Sequence, residues 1–302
     1  MKTAKGKVVW VDIQKPSKSE IDFLKKEHDF HPIILDELLH DSARSKVEQE
    51  EDYLYLTFHF PIFDPMLKTS RRAELDFLIT KQKVYTVHRE PLEPVENFSR
   101  LLDTNEHFKD RALNQTTGHL AYYLIQQIIH FSLRQLRHVE ENVHYISGEL
   151  FKNREHKLLE KISYTKRDIL NFSIITNPQE VLLNSLADIG VMFWGKGMKV
   201  YLSDLIGDHL KTVQYLENYK EVVESLENTN GQILSAKSNS VMQKFTIMAF
   251  LTFPFFFFTS LLAVDFIREF LTTPPERFWY IFFSIGSLVV LLAILFRKRR
   301  WL

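Results

Sequence analysis

Two long runs of uncharged residues lie near the end of the chain and contrast with the mixed polar pattern before them. The first extends from Phe245 to Val264 and the second from Phe278 to Phe296. A helix needs about 20 apolar residues to cross a hydrocarbon core of about 30 Å. Uncharged stretches of this length are rare in soluble domains, so we predict two membrane-spanning helices rather than two buried core helices.

The residues around these runs predict how the chain is oriented in the membrane. The connecting segment, residues 265–277, is short and polar, and Pro274-Pro275 is expected to stop any helix there, so the two spans form a hairpin. Basic residues run from Arg297 to Arg300 after the second span, and Lys237 and Lys244 precede the first. By the positive-inside rule we expect a multi-pass protein of the cell (inner) membrane with both termini in the cytoplasm.

The first part of the chain has a different pattern, in which short apolar runs alternate with helical patterns, as in an α/β domain. Ser17 and Glu20 form a capping box that predicts the start of one helix, and His31-Pro32 predicts the start of another. The alternation in the last predicted strand indicates that it is half-buried. The predicted strands are Val8–Asp12, Tyr53–Phe60, Glu74–Thr80 and Val84–His88.

From Thr116 onward, apolar residues recur at spacings near three and four, which predicts helices. We expect breaks at Asn177-Pro178 and between Trp194 and Gly197. From Met198 no proline occurs before Pro254, so a single helix of about 65 residues, roughly 100 Å long, continues from the cytoplasm into the first span as a stalk.

These patterns give a domain organisation in six parts. The fold class that they predict is an α/β cytoplasmic domain, a long helical stalk and a two-helix transmembrane hairpin. The parts are the cytoplasmic α/β domain (1–115), the cytoplasmic helical region and stalk (116–244), the first transmembrane helix (245–264), the extracytoplasmic loop (265–277), the second transmembrane helix (278–296) and the basic cytoplasmic tail (297–302).

Composition excludes several kinds of site. The 38 basic and 38 acidic residues give a net charge of zero, so no nucleic-acid partner is indicated. The absence of cysteine excludes disulfides and cysteine-ligated metals. The twelve histidines do not show a metal-ligand spacing, and nothing in the soluble part pairs a nucleophile with a base, so we predict that the protein is not an enzyme.

Local motifs, taken in order, resemble those of one known family. Ser238-Asn239-Ser240-Val241-Met242, followed by Thr246 and Pro254, looks like that family's entry from the stalk into the pore helix. The chain resembles the CorA family of magnesium and divalent-cation channels. The other motifs that carry the resemblance are Trp10-Val11-Asp12 with Pro16, His31-Pro32 with Asp36-Glu37, the run from Lys46 to Phe58, and Val84 to His88.

The resemblance implies an α-helical membrane channel assembled as a homopentamer. Its expected partners are the lipid bilayer, other copies of the chain and metal cations. It implies no cofactor other than divalent cations, magnesium among them, as transported or regulatory ions. Family members bind regulatory metal between subunits, and Asn228 stands at the stalk position where such a carboxylate would fall, so we expect that site to be weak or absent.

One departure from the family pattern affects the predicted selectivity. Family members carry Gly-Met-Asn, or a Gly-x-Asn variant, at the outer end of the first span, and the resemblance implies that a ring of asparagines holds a hydrated cation there. A gapless alignment puts Ala263-Val264-Asp265 there, so the resemblance implies that Asp265 lies at the outer pore mouth. We also weigh a second role, in which Asp265 only caps or terminates the membrane helix.

The same alignment assigns pore-lining residues. Rings of phenylalanine would make a narrow, dry pore. Four consecutive phenylalanines, Phe255 to Phe258, cover all sides of a helix, so one must face inward, and we assign Phe256; the others face lipid or a neighbouring helix. The implied pore-lining residues are Asn239, Met242, Phe245, Phe253 and Phe256.

Two functions follow. The first is a CorA-like cation channel or transporter, for divalent metal ions but with selectivity altered by the loss of Gly-Met-Asn. The alternative is a non-selective, tension-sensitive or scaffolding membrane pentamer with a phenylalanine-gated pore and no magnesium transport.

Overall fold

The computed structural model describes residues 1–298, so the last part of the predicted basic tail, 299–302, lies outside the described residues. Within this range the chain divides into two compact units, the first from Met1 to Glu227 and the second beginning at Asn228. The predicted six-part domain organisation is a different division and stays a prediction.

The first unit contains a six-stranded mixed sheet with the strand order β1-β2-β6-β5-β4-β3. Strands β2 and β6 are parallel, and the other neighbouring pairs are antiparallel. The four predicted strands are present, and two short edge strands, β1 and β3, were not predicted. The strands are β1 Lys2–Lys5, β2 Val9–Gln14, β3 Lys46–Gln49, β4 Tyr53–Asp64, β5 Thr69–Thr80 and β6 Lys83–His88.

Ten α-helices complete the described chain, and both predicted helix starts are confirmed. The Glu20 carboxylate accepts a hydrogen bond from the Ser17 backbone N–H at 3.1 Å, and His31 Nδ1 accepts one from the Ile33 N–H at 3.3 Å. The helices are α1 Lys18–Glu27, α2 Pro32–Glu37, α3 Glu93–Thr104, α4 Glu106–Leu113, α5 Thr117–Gln135, α6 Arg137–Glu149, α7 Glu155–Trp194, α8 Lys199–Leu261, α9 Asp265–Thr272 and α10 Pro275–Lys298.

Helices cover both faces of the sheet. Trp10 and Val84 belong to a core that includes residues of α3, α5 and α7, whereas Tyr85 on the other face packs in a second core with Leu24 of α1 and Leu35 of α2. The prediction that Val84–His88 is half-buried is therefore wrong. Its alternation separates two buried faces rather than a buried face from a solvated one.

The predicted break at Asn177-Pro178 is also wrong, because Pro178 lies inside the 40-residue helix α7. Proline removes a backbone donor, which usually bends or ends a helix. Next to it, the side-chain amide of Gln179 donates to the Ile175 carbonyl at 3.2 Å, which supplies a polar contact inside the helix at this point. The break after Trp194 is confirmed, since Gly195 has φ +99° and ends α7.

The second unit contains the end of α8 followed by α9 and α10. The predicted long helix is confirmed, since α8 is continuous over 63 residues. Two helical segments, Lys196–Leu261 and Pro275–Lys298, are long and apolar enough to cross a membrane. The predicted loop differs from the structure, because residues 265–272 form α9, and Pro275 begins α10 instead of only stopping a helix.

Candidate functional site: one face of helix α8 and the turn that follows it

The residues assigned to a pore share one face of α8. At about 100° per residue they fall within an arc of about 120° around the helix axis. Their side chains are largely uncovered in the single chain, with exposed fractions from 63% to 74% for the four apolar members. The residues are Asn239, Met242, Phe245, Phe253 and Phe256.

The opposite face of α8 packs against protein. Ile247 and Phe258 are buried there. The ring of Phe258 lies 5.6 Å from that of Phe278 on α10, measured between centroids, and the ring of Phe255 lies 6.0 Å from that of Phe282. Two of the four consecutive phenylalanines therefore contact α10.

Phe256 lies on the other side of α8 from these contacts and is exposed. In this arrangement, α10 of the same chain does not cover the face of α8 that was assigned to the pore. Whether that face lines a pore stays a prediction, since one chain alone does not enclose a conduit.

The turn after α8 brings Asp265 to the start of the next helix. The N–H groups of Leu262, Ala263 and Val264 donate to carbonyls of the last turn of α8 at 3.1–3.4 Å. Val264 is extended, with φ −96° and ψ 114°, and Asp265 is the first residue of α9. The turn has no residue with positive φ, so this backbone can be built without the glycine of the family pattern.

Asp265 is not isolated in this turn. Its Oδ1 lies 2.7 Å from Nη2 of Arg268, and the two side chains are 86% and 59% exposed. An acidic residue in the first turn is also favoured by the helix dipole. Sequence reasoning missed Arg268 as a partner, although a spacing of three residues at a helix start is a signal for such a pair.

The first unit contains a buried charged cluster on β4, β5 and the end of β6. Glu74 accepts hydrogen bonds from the Ser42 N–H at 2.9 Å and from Arg89 at 2.8 Å, and its carboxylate lies 2.9 Å from His59 Nε2. Asp76, two residues along β5, accepts a hydrogen bond from Thr57 Oγ1 at 2.8 Å.

Burial and neighbouring charges separate these two carboxyl groups. Burial would raise the pKa of Glu74, but His59, the Ser42 N–H and the charge of Arg89 hold it below its usual range. Burial raises the pKa of Asp76 to about 8, and the negative charge of Glu74 adds to that shift. Near neutral pH, Glu74 is therefore charged, whereas Asp76 keeps its proton.

No group of three or more histidine, aspartate or glutamate side chains within residues 1–298 is arranged to hold a metal ion. Asn228, at the predicted position of a regulatory carboxylate, lies within α8. The expectation that this regulatory site is weak or absent stays a prediction.

A sheet-containing domain, a helix of 63 residues and two C-terminal helical segments that are long and apolar enough to cross a membrane form the architecture of a two-span membrane protein. The sequence matches the family described as CorA-like Mg²⁺ transporter protein over residues 5–298, so the chain belongs to that family.

Known relatives extend over nearly the whole chain. The cobalt/magnesium transport protein CorA of Methanocaldococcus jannaschii is 20% identical over 299 residues, which cover 98% of this chain and 92% of the relative. The protein of the same name from Thermotoga maritima is 21% identical over 277 residues, which cover 90% of this chain and 77% of the relative.

A solved structure shows the same fold. The complete structure of the CorA magnesium transporter from Methanocaldococcus jannaschii superposes with a TM-score of 0.84 at 19% identity, covering 100% of this chain and 94% of the other. The prediction of a CorA-like protein with a sheet-containing domain, a long helix and two apolar C-terminal helices is confirmed.

Proposed function

We propose that the chain is a channel for divalent metal ions that works as a homopentamer in the cell membrane, with both termini in the cytoplasm. The first span of each copy lines a central pore, and α10 packs outside it. One observation carries this proposal: Phe253 and Phe256 lie on the face of α8 that points away from the contacts of Phe258 with α10. A single hairpin cannot enclose a pore, so several copies must contribute that face.

The interior of this pore is narrow and dry at Phe253 and Phe256. Aromatic rings cannot replace the water shell of an ion, so five copies of each ring form a hydrophobic constriction. Ions cross only when the constriction widens enough to admit water.

The ion selectivity at the outer mouth of the pore differs from that of family members that carry Gly-Met-Asn. Divalent cations such as magnesium prefer oxygen ligands, and magnesium gives up its water reluctantly. A ring of Asp265 carboxylates attracts divalent cations by charge, whereas a ring of asparagine amides holds a hydrated ion by fixed hydrogen bonds. We therefore expect attraction at close range, with less discrimination by ion size. The relatives' names point to cobalt and magnesium as the first ions to test.

The alternative function is a non-selective, tension-sensitive or scaffolding pentamer without magnesium transport. The phenylalanines at positions 253 and 256 favour it, because a dewetted constriction opens by widening rather than by recognising an ion.

Ion flux in liposomes tests the proposed function against this alternative. The full chain is reconstituted, and uptake of magnesium, cobalt and a monovalent cation is measured with and without a divalent gradient. The proposal expects divalent uptake that exceeds monovalent uptake. Equal uptake of both classes, or uptake only under osmotic stretch, supports the alternative.

Assembly is tested separately by imaging single particles of the full chain in detergent. Five-fold particles are expected. A monomer or a simple dimer contradicts the pentamer.

A further inference from the structure

Helix α9 is amphipathic. It is eight residues long, and at about 100° per residue its apolar and polar positions fall on opposite sides of the axis. The apolar side carries Phe266, Ile267, Phe270 and Leu271, and the polar side carries Asp265, Arg268, Glu269 and Thr272.

Only part of the apolar side is covered by protein. Leu271 is buried, whereas the side chains of Phe266 and Phe270 are 85% and 64% exposed. The guanidinium of Arg277 in α10 lies 4.8 Å from the centre of the Phe270 ring, and its Nη1 donates to the Phe270 carbonyl at 2.8 Å. These contacts fix the end of α9 against the start of α10 and leave the Phe266 ring and most of the Phe270 ring exposed.

The position of α9 in the chain places it close to the membrane surface. Three residues separate it from the end of α8 at Leu261, and two separate it from the start of α10 at Pro275. A residue spans at most about 3.6 Å, so α9 stays near the level at which both helices leave the hydrocarbon. Trp279 and Tyr280, in the first two turns of α10, are residue types enriched at that level.

We propose that α9 is an interfacial helix that lies in the outer surface of the bilayer, with Phe266 and Phe270 inserted at the boundary between headgroups and acyl chains. A helix with one apolar and one charged side binds a membrane surface in this orientation, with its apolar side toward the acyl chains. This surface goes beyond the proposed function, which concerns the pore.

The partner is lipid, and the attraction is apolar rather than electrostatic. The polar side of α9 carries two acids, Asp265 and Glu269, and one base, Arg268, so it offers no net positive charge to anionic headgroups. We therefore expect insertion to be the same in vesicles of phosphatidylcholine alone and in vesicles with added anionic lipid.

Site-directed spin labelling tests this proposal directly, because the chain contains no cysteine and each introduced thiol is unique. Phe266→Cys and Phe270→Cys report on the apolar side, and Glu269→Cys is the matched control on the polar side of the same helix. Each labelled full chain is diluted with unlabelled chain, reconstituted in vesicles and compared for collisions with oxygen and with a water-soluble nickel chelate.

We expect a several-fold higher ratio of oxygen to nickel collisions at positions 266 and 270 than at position 269. Labels at 266 and 270 that collide freely with nickel would mean that the helix is in water, which overturns the proposal. Labels shielded from both probes would mean contact with a second copy, which also overturns it. The Phe266→Cys and Phe270→Cys variants test the proposal independently, so if one of them fails to assemble, the other still tests it. The measurement involves no ion flux, so its outcome is separate from that of the proposed function.

Discussion

Phe256 and Phe258 lie two residues apart on α8 and on opposite sides of it. Phe258 is buried and packs its ring against that of Phe278 on α10, whereas Phe256 is exposed and points away from that contact. The two rings are chemically identical, so their different environments come from the packing of α10 side chains against one face of α8. Substitutions at these positions should therefore have different effects.

Replacing Phe256 with serine should increase ion leak through the reconstituted protein. A hydroxyl in place of the ring widens the constriction and lets water enter. Leak is measured as uptake of a small monovalent cation into liposomes. Phe283→Ser is the matched control, because Phe283 is an exposed phenylalanine on α10, outside the assigned face.

The proposed constriction is contradicted if Phe256→Ser leaks no more ions than the parent and serine variants of Phe245 and Phe253 also leave the ion leak unchanged. An equal increase in Phe283→Ser would indicate a general loss of packing instead.

Replacing Asp265 with asparagine should weaken the binding of divalent cations at the proposed outer mouth of the pore. The substitution keeps the size of the side chain and removes the charge that attracts the ion. The measurement is the concentration of external cobalt that blocks or saturates uptake, which should rise several-fold. Glu269→Gln, on the same helix, is the control for a general change of surface charge. Unchanged cation affinity in Asp265→Asn would leave only a structural role at the start of α9.

Replacing Asp76 with asparagine should stabilise the protein at pH 8 more than at pH 5. Burial holds the pKa of Asp76 near 8 in the folded chain, whereas the unfolded value is near 4. Between these values the folded state keeps a proton that the unfolded state releases, so parent stability falls as pH rises. Asparagine cannot ionise, and its oxygen can still accept the hydrogen bond from Thr57.

The measurement for Asp76→Asn is the unfolding temperature of the full chain at several pH values. A gain of a few degrees at pH 8 corresponds to about 1 kcal/mol for a domain of this size. Asp22→Asn is the control, because Asp22 is exposed on α1. A shift that is constant between pH 5 and pH 8 would contradict the assigned titration.

Replacing Gly190 with alanine should destabilise the protein by about 1–3 kcal/mol, the usual cost of overpacking a core. A Cβ there would lie 2.8 Å from Cζ3 of Trp194 and 2.8 Å from Cδ1 of Leu202. The Trp194 ring cannot move freely, because its Nε1 donates to Thr117 Oγ1 at 3.1 Å.

The control for Gly190→Ala is Gly148→Ala in α6, where nothing lies within 4 Å of the added carbon. Alanine favours helix more than glycine does, so this variant should be neutral or more stable by up to about 1 kcal/mol. Unfolding by denaturant measures both variants. Equal stability of the two would show that the core at Gly190 can relax around the methyl group.

The sequence predicts the long helices and buried strands well because their patterns are long or strongly apolar. The segment from Met198 to the first span has no helix breaker until Pro254, and α8 is continuous across it. The edge strands β1 and β3 were missed because Lys2–Lys5 and Lys46–Gln49 are short and polar, and none of their residues is buried. Their pairing comes from neighbouring strands rather than from their own pattern.

The prediction of a loop at residues 265–277 was wrong for a different reason. Pro274-Pro275 dominated the interpretation of residues 265–277, although the spacing of Phe266, Ile267, Phe270 and Leu271 already indicates a helical apolar face. Helical spacing alone predicts that the five assigned residues share one face of α8, whereas the assignment of that face to a pore rests on the family resemblance. The burial of Phe258 could not, since it depends on where α10 crosses α8.

The close pairing of Asp265 with Arg268 shortens the distance over which the Asp265 charge acts. A carboxylate and a guanidinium 2.7 Å apart act at a distance as a dipole rather than as a single charge. The field of a dipole falls with distance more steeply than that of a charge, so the pair does little to steer ions from the bulk solution. An ion experiences the full carboxylate only once it is close enough to compete with Arg268, which makes capture at this point a short-range exchange of partners.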